Sequence, residues 1–219
     1  MDFSPLWLSL RVGAAATVLV VAAGLPLAWL LARGRFRGRE VLSAALTLPM
    51  VLPPTVLGFY LLMALGRQGP IGRLLESTTG FTLVFTWYAA VLASFVVSLP
   101  LLVRAAQGAF EAIEPNLENA ARTLGRSELD IFLTVTVPLA WRGILAGTVL
   151  AFARAIGEFG ATLMVAGNIP GSTQTMPIAI YDAVQAGRLD VANTLVLIIT
   201  GATMAGLLLL GRVARTLGR

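Results

Sequence analysis

The sequence has no cysteine, no histidine and no lysine, and charged residues of any kind are few. Each absence excludes a class of function. Without cysteine there are no disulfides, thiolate metal sites or cysteine nucleophiles. Without histidine, the commonest general base and the commonest metal ligand are missing. Without lysine there is no Walker-type phosphate loop, because that motif requires one. Any ATP-driven work would need the ATP hydrolysed on another chain. The sequence has no H-E-x-x-H and no G-x-S-x-G nucleophile elbow. Asp182 and Asp190, eight apart, make no convincing carboxylate pair. No catalytic residue and no metal site is expected.

What is present is apolar. Hydrophobic residues make up 57% of the 219, and charged residues only 12%, about half the share of a soluble domain. That leaves too little polar surface to cover a core unless much of the surface faces lipid. The apolar residues fall in five blocks, at about 8–32, 41–65, 82–103, 141–166 and 191–210. Each is long enough to cross roughly 30 Å of hydrocarbon as a helix. The expected fold is all-α: one domain over 1–219, a polytopic membrane bundle of about five transmembrane helices. The stretch before the first block lacks a basic segment, and the block itself is too long for a signal peptide, so it reads as a retained span.

The net charge of +5 does not point to nucleic acid, because the arginines cluster at the ends of the apolar blocks. Arg33, Arg35, Arg37 and Arg39 follow the first block. Arg104, Arg122, Arg126 and Arg142 lie between the third and fourth, and Arg212, Arg215 and Arg219 form the tail. If the spans alternate, all of these share one side, leaving Arg11, Arg67, Arg73 and Arg188 on the other. The imbalance predicts the N-terminus outside and the C-terminus in the cytoplasm.

The longest segment between blocks spans about 111–138. Pro115 suits a helix start. Leu117, Ala120, Ala121 and Leu124 share one helix face, and Gly125 ends the helix. Such a helix suits docking into a groove on a partner, and equally suits packing under its own bundle. Asn119-Ala120-Ala121, three residues, Gly125, nine residues, then Val135-Thr-Val-Pro138 resembles the EAA loop of ATP-binding-cassette importer permeases. Asn119 stands where that pattern has glutamate, and Glu118 lies one position earlier. The resemblance implies that Glu118, Asn119, Ala120, Ala121, Gly125 and Pro138 belong to a coupling helix that sits in a cleft of an ATPase subunit.

Longer stretches are similar to the molybdate permeases of the molybdate/tungstate/sulfate branch. They are Leu48-Pro-Met-Val-Leu-Pro-Pro-Thr-Val-Leu-Gly58, Glu111-Ala-Ile-Glu-Pro115, Arg154-Ala-Ile-Gly-Glu-Phe-Gly-Ala161, Gly167-Asn-Ile-Pro-Gly171 and Thr173-Gln-Thr-Met-Pro177. This resemblance implies a type I importer transmembrane domain in a bacterial plasma membrane. It implies a homodimeric pore, two cytoplasmic ATPase subunits that bind ATP and magnesium, and a soluble extracytoplasmic anion-binding protein. It implies no cofactor in this chain. Sulfate, thiosulfate or tungstate would be alternative cargoes, and a self-sufficient anion channel or carrier an alternative class.

Independently of that resemblance, two features are candidates for a translocation path. Arg154 and Glu158 lie inside the fourth block, four apart on one helix face. Charges at that depth usually face a cavity or a partner. The pair could line a path or simply fix packing. Pro49, Pro53 and Pro54 interrupt the second block, and broken membrane helices serve either as kinks or as transport sites. Thr55 offers a hydroxyl there. Gly143 and Gly147 form a G-x-x-x-G pair, suited to contact within the bundle or between two copies. On the outside, Asn168-Ile-Pro-Gly171 forms a turn and Met176 to Ala186 an amphipathic helix. Asn168, Asp182 and Arg188 there are the candidates for meeting a binding protein.

Overall fold

The computed structural model describes residues 3–216. Met1, Asp2 and the tail arginine Arg219 lie outside the described residues, as do the side chains of Arg212 and Arg215.

Proline and glycine punctuate long apolar runs into helices. The first, α1, is Ser4–Arg33. Next come α2 (Arg39–Val51) and α3 (Pro54–Leu65), parted by Leu52 and Pro53. A short α4 (Pro70–Thr79) starts on proline and stops at Gly80 in the left-handed region. Then α5 is Trp87–Glu111, α6 is Pro115–Thr123 and α7 is Glu128–Ile131. A π-helical turn, Phe132–Thr136, joins α7 to α8 (Val137–Ile156). The chain ends with α9 (Gly160–Ala166), α10 (Met176–Gln185) and α11 (Leu189–Thr216).

Contacts at the two ends of α5 fix the topology. Near its start, Trp87 lies 4.0 Å under the Arg11 guanidinium of α1. Near its end, Arg33 at the end of α1 donates to Ile113 O at 3.0 Å. Helices α1 and α5 are therefore parallel, so the chain between them must return across the bilayer. Helices α2 and α3 make that return together. Helix α8 runs the other way, with Gly143 beside Ala109, Gly147 beside Ala105, and Ala155 O accepting from Ser94 Oγ at 3.3 Å.

Helix α5 is the centre of the bundle. Ala89, Ala90, Ala93, Ser94, Ser98 and Ala106 are at most 1% exposed. Small side chains let neighbouring helices approach closely, which matters in lipid, where apolar contact alone drives little association. One core joins α1, α3, α5, α8 and α9 around Val12, Leu57, Val97 and Val165. A second joins α1, α5 and α8 around Leu31, Phe110 and Ala140. The G-x-x-x-G pair belongs to this packing. A Cβ on Gly143 would stand 2.4 Å from Ala109 Cβ, and one on Gly147 2.8 Å from Ala105 Cβ. The pair therefore serves contact within the bundle.

The proline break expected in the second block is present, with α2 and α3 meeting at a turn of 115°, and two other spans need correction. Pro53 and Pro54 remove two donors in succession, and the residue before each is pushed out of the helical region. The third span starts at Trp87, not residue 82, because Phe85 has φ 59° and cannot continue a helix. The fourth breaks after Ile156. Glu158 therefore follows the helix and is not on its face.

Candidate functional site

The two breaks meet. A Cβ on Gly160, at the start of α9, would stand 3.0 Å from Pro54 Cβ and 3.4 Å from Thr55 N. The backbone of α9 thus touches the turn between α2 and α3, a proximity that sequence spacing could not reveal. Pro53 and Thr55 are exposed beside it.

Arg154 and Glu158 sit at this junction. The end of α8 tightens, with Gly157 N–H donating to Ala153 O at 3.2 Å and Glu158 N–H to Ala155 O at 3.3 Å. That turn carries the Glu158 carboxylate back beneath Arg154. Arg154 Nη2 stands 2.7 Å from Glu158 Oε2. Glu158 Oε1 accepts the Ala161 N–H at 2.7 Å, so the carboxylate also caps α9. Glu158 is 2% exposed. A buried carboxylate costs several kcal/mol unless it is paired and hydrogen-bonded, and this one is both.

The Arg154 side chain is 33% exposed. It lines a cavity of about 180 Å³, with Pro49, Met50, Leu52 and Pro54 on one wall and Val97 and Leu101 on the other. A guanidinium has five N–H donors, more than one carboxylate can accept. The site is an otherwise apolar cavity with one cation, ion-paired to Glu158, beside the helix breaks.

The sequence marks Arg104 only as a topology-setting charge. In the structure its Nη2 donates to Thr47 Oγ1 and to Ser43 O (3.3 Å), bridging α5 to α2. It lines a second cavity of about 380 Å³ between the same two helices, with Arg39 and Ser43.

At the arginine-rich end, α6 forms where expected. Gly125 has φ 79°, its N–H donates to Arg122 O at 3.0 Å, and Arg126 N–H donates to Ala121 O at 3.2 Å. Leu117, Leu124, Leu129 and Leu133 are all exposed, as are Asn119, Ala120 and Pro138, with Ala121 half-buried. Arg122 holds this loop together. It grips both oxygens of Glu128, at 2.6 and 2.9 Å, and donates to Asn119 Oδ1 at 2.8 Å. The hydrogen bond to Glu128 raises the Arg122 guanidinium further above its ordinary value. Glu118 differs from its neighbours: it turns inward and is 2% exposed. Replacing Gly125 with alanine leaves space around the new Cβ but forces it into the left-handed region. The expected cost is about 1 kcal/mol of local order, read as faster amide exchange across 120–128.

At the opposite end, Asn168, Asp182 and Arg188 form one cluster. Asn168 Nδ2 donates to Asp182 Oδ1 at 3.1 Å, and Arg188 Nη2 to Asp182 Oδ2 at 3.3 Å. Ser9 Oγ of α1 accepts the Met176 N–H at 2.8 Å, seating α10 on the bundle. The amphipathic helix forms as α10, burying Met176, Ile178 and Ala183 and leaving Tyr181 and Val184 exposed.

Residues 24–219 match the family described as binding-protein-dependent transport system inner membrane component. The molybdenum transport system permease protein of Escherichia coli (strain K12) is 47% identical over 184 residues, 84% of this chain and 80% of that protein. Its counterpart in Mycobacterium tuberculosis (strain ATCC 25618 / H37Rv) is 45% identical over 212 residues, 96% of this chain and 78% of that protein. Among solved structures, a chain of the inward-facing methionine ABC transporter MetNI superposes with TM-score 0.76 at 19% identity, over 98% of this chain and 95% of that one. A chain of a bacterial ABC transporter that imports the acidic polysaccharide alginate gives TM-score 0.75 at 13% identity, over 100% of this chain and 82% of that one.

Proposed function

The chain belongs to the binding-protein-dependent transport system inner membrane components, and from that membership and its 47% and 45% identity to molybdenum permeases we propose that it is the permease subunit of an ATP-driven importer of molybdate. The observation that carries the path is the half-neutralised Arg154 in the cavity where the α2–α3 and α8–α9 breaks meet. Half of the pore comes from one copy, and a second copy completes it. Two ATPase subunits bind ATP and magnesium on the cytoplasmic side and engage the exposed leucines of α6 and α7. A soluble binding protein delivers the anion to the opposite face, near Asn168, Asp182 and Arg188. The arginine excess at the α6 end supports a cytoplasmic C-terminus and an N-terminus outside. Transport is a shift between two packed states of the bundle, biased by nucleotide. The chain performs no covalent chemistry.

The decisive experiment reconstitutes this chain, its ATPase and its binding protein in liposomes with radioactive molybdate. Accumulation that requires ATP and all three components is the expected result, with tungstate and sulfate as competing cargoes. Molybdate flux through this chain alone, without ATP, would instead identify a channel or carrier.

A further inference from the structure

Glu118 is buried where a docking residue should be exposed. Its Oε2 lies 2.9 Å from Arg33 Nε, in the last turn of α1. Its Oε1 accepts a hydrogen bond from Thr136 Oγ1 at 2.9 Å. Thr136 is wholly buried and closes the π-helical turn that feeds α8. Arg33 is held in turn by Ile113 O, just before α6. One carboxylate thus joins three elements: the end of α1, the loop helix α6 and the start of α8. It is neither on the exposed leucine face of α6 nor in the cavity at Arg154.

The pairing also has a physical cost that needs a return. An ion pair at this burial gives little net stability compared with an apolar substitute, whereas removing one partner is strongly destabilising. Its benefit is geometric, because it allows one arrangement of three elements and penalises others. The π turn supports this. Wider turns are poorer than α-helical ones and often mark functional places in a helix. Here the turn delivers the Thr136 hydroxyl to Glu118.

We propose that Glu118 is a positioning residue, an internal strut that makes α6 move as one body with α1 and α8, and not a contact to the ATPase. This rests on the importer reading above. A push on the leucine face of α6 passes through Glu118 to Arg33 and Thr136, and so to two helices that pack directly on α5. Without the strut, α6 can still dock, but its displacement is absorbed locally instead of reaching the bundle.

The test uses the complete complex in liposomes, with molybdate and ATP, alongside amide exchange on the full-length chain. Glu118→Gln and Thr136→Val should bind the ATPase as the unchanged chain does and hydrolyse ATP at a similar rate. Molybdate imported per ATP should fall about tenfold, within the range of ordinary coupling energies. Amide exchange should rise across 115–123 and 132–136. The double exchange Arg33→Glu with Glu118→Arg should restore much of the ratio. Weakened ATPase binding by Glu118→Gln, with exchange unchanged, would overturn the proposal by making Glu118 a docking residue. An unchanged ratio would overturn it as well. Failure of the importer reading looks different: the unchanged complex would take up no molybdate, while the exchange effect of Glu118→Gln persisted.

Discussion

Alanine in place of Arg154 is expected to raise the molybdate concentration for half-maximal uptake about thirtyfold, since a hydrogen bond to a charged group contributes about 1.5–3 kcal/mol. The same change should also destabilise the chain, because it strands the Glu158 carboxylate with only the Ala161 N–H as partner. Breaking a buried pair from one side costs about 3 kcal/mol. The two effects separate in the double variant Arg154→Ala with Glu158→Gln. Its neutral amide can still cap α9 and no longer needs a cation, so stability should return while uptake stays weak. Glu158→Gln alone should act in the opposite sense. Arg154 then loses its neutralising partner and holds the anion longer, so half-saturation and maximal rate should fall together. Concentration dependence of uptake and thermal unfolding in detergent measure the two sides. Full recovery of uptake in the double variant would leave the pair a packing role only.

Leucine at position 147 is the second large effect. The first added carbon already meets Ala105 Cβ at 2.8 Å and Leu102 Cα at 3.2 Å. Both neighbours are on α5, at the centre of the bundle, where neither backbone has room to yield. Separation of α5 from α8 should cost about 3 kcal/mol, the upper part of the range for overpacked cores. Gly147→Leu should therefore lower the unfolding temperature of the chain itself, without any second copy present. Ala105→Gly in the same chain should recover part of the loss by clearing the nearest atom. A drop in copy-to-copy cross-linking with no change in unfolding temperature would return the glycine pair to an interface between copies.

The sequence revealed what runs along the chain better than what meets across it. The five apolar blocks, the proline interruption and the stop at Gly125 are local signals, each set by one residue type or one run. The pairing of Arg154 with Glu158 was also visible, as a four-residue spacing. The reason it forms was not: the helix ends at Ile156, and a tightened turn, not a helix face, brings the carboxylate back. Glu118 was harder still. Periodicity puts it on α6 but cannot say that its inward face meets Arg33, because nothing in the spacing of residues 33 and 118 encodes contact. The meeting of Pro54 with Gly160 was hidden for the same reason. Helix α4 went unread because its apolar residues, Ile71, Leu74 and Leu75, sit in a short polar stretch whose only markers are Pro70 and Gly80.

The sharp turn between α2 and α3 also bears on how the chain enters the bilayer during synthesis. The two helices have 13 and 12 residues, about 20 and 18 Å long. Each is short of the roughly 30 Å of hydrocarbon to be crossed. Neither half is a complete stop signal for the insertion machinery, and the break at Leu52 and Pro53 adds helix-end carbonyls that lipid cannot satisfy. Their seat is built from α5 and α9, which are made later. The segment is therefore expected to settle across the bilayer only once those helices are made. A substitution that spoils the seat at Gly58 or Gly160 would be felt first as a fault in biogenesis, cleared by quality control before any anion is moved.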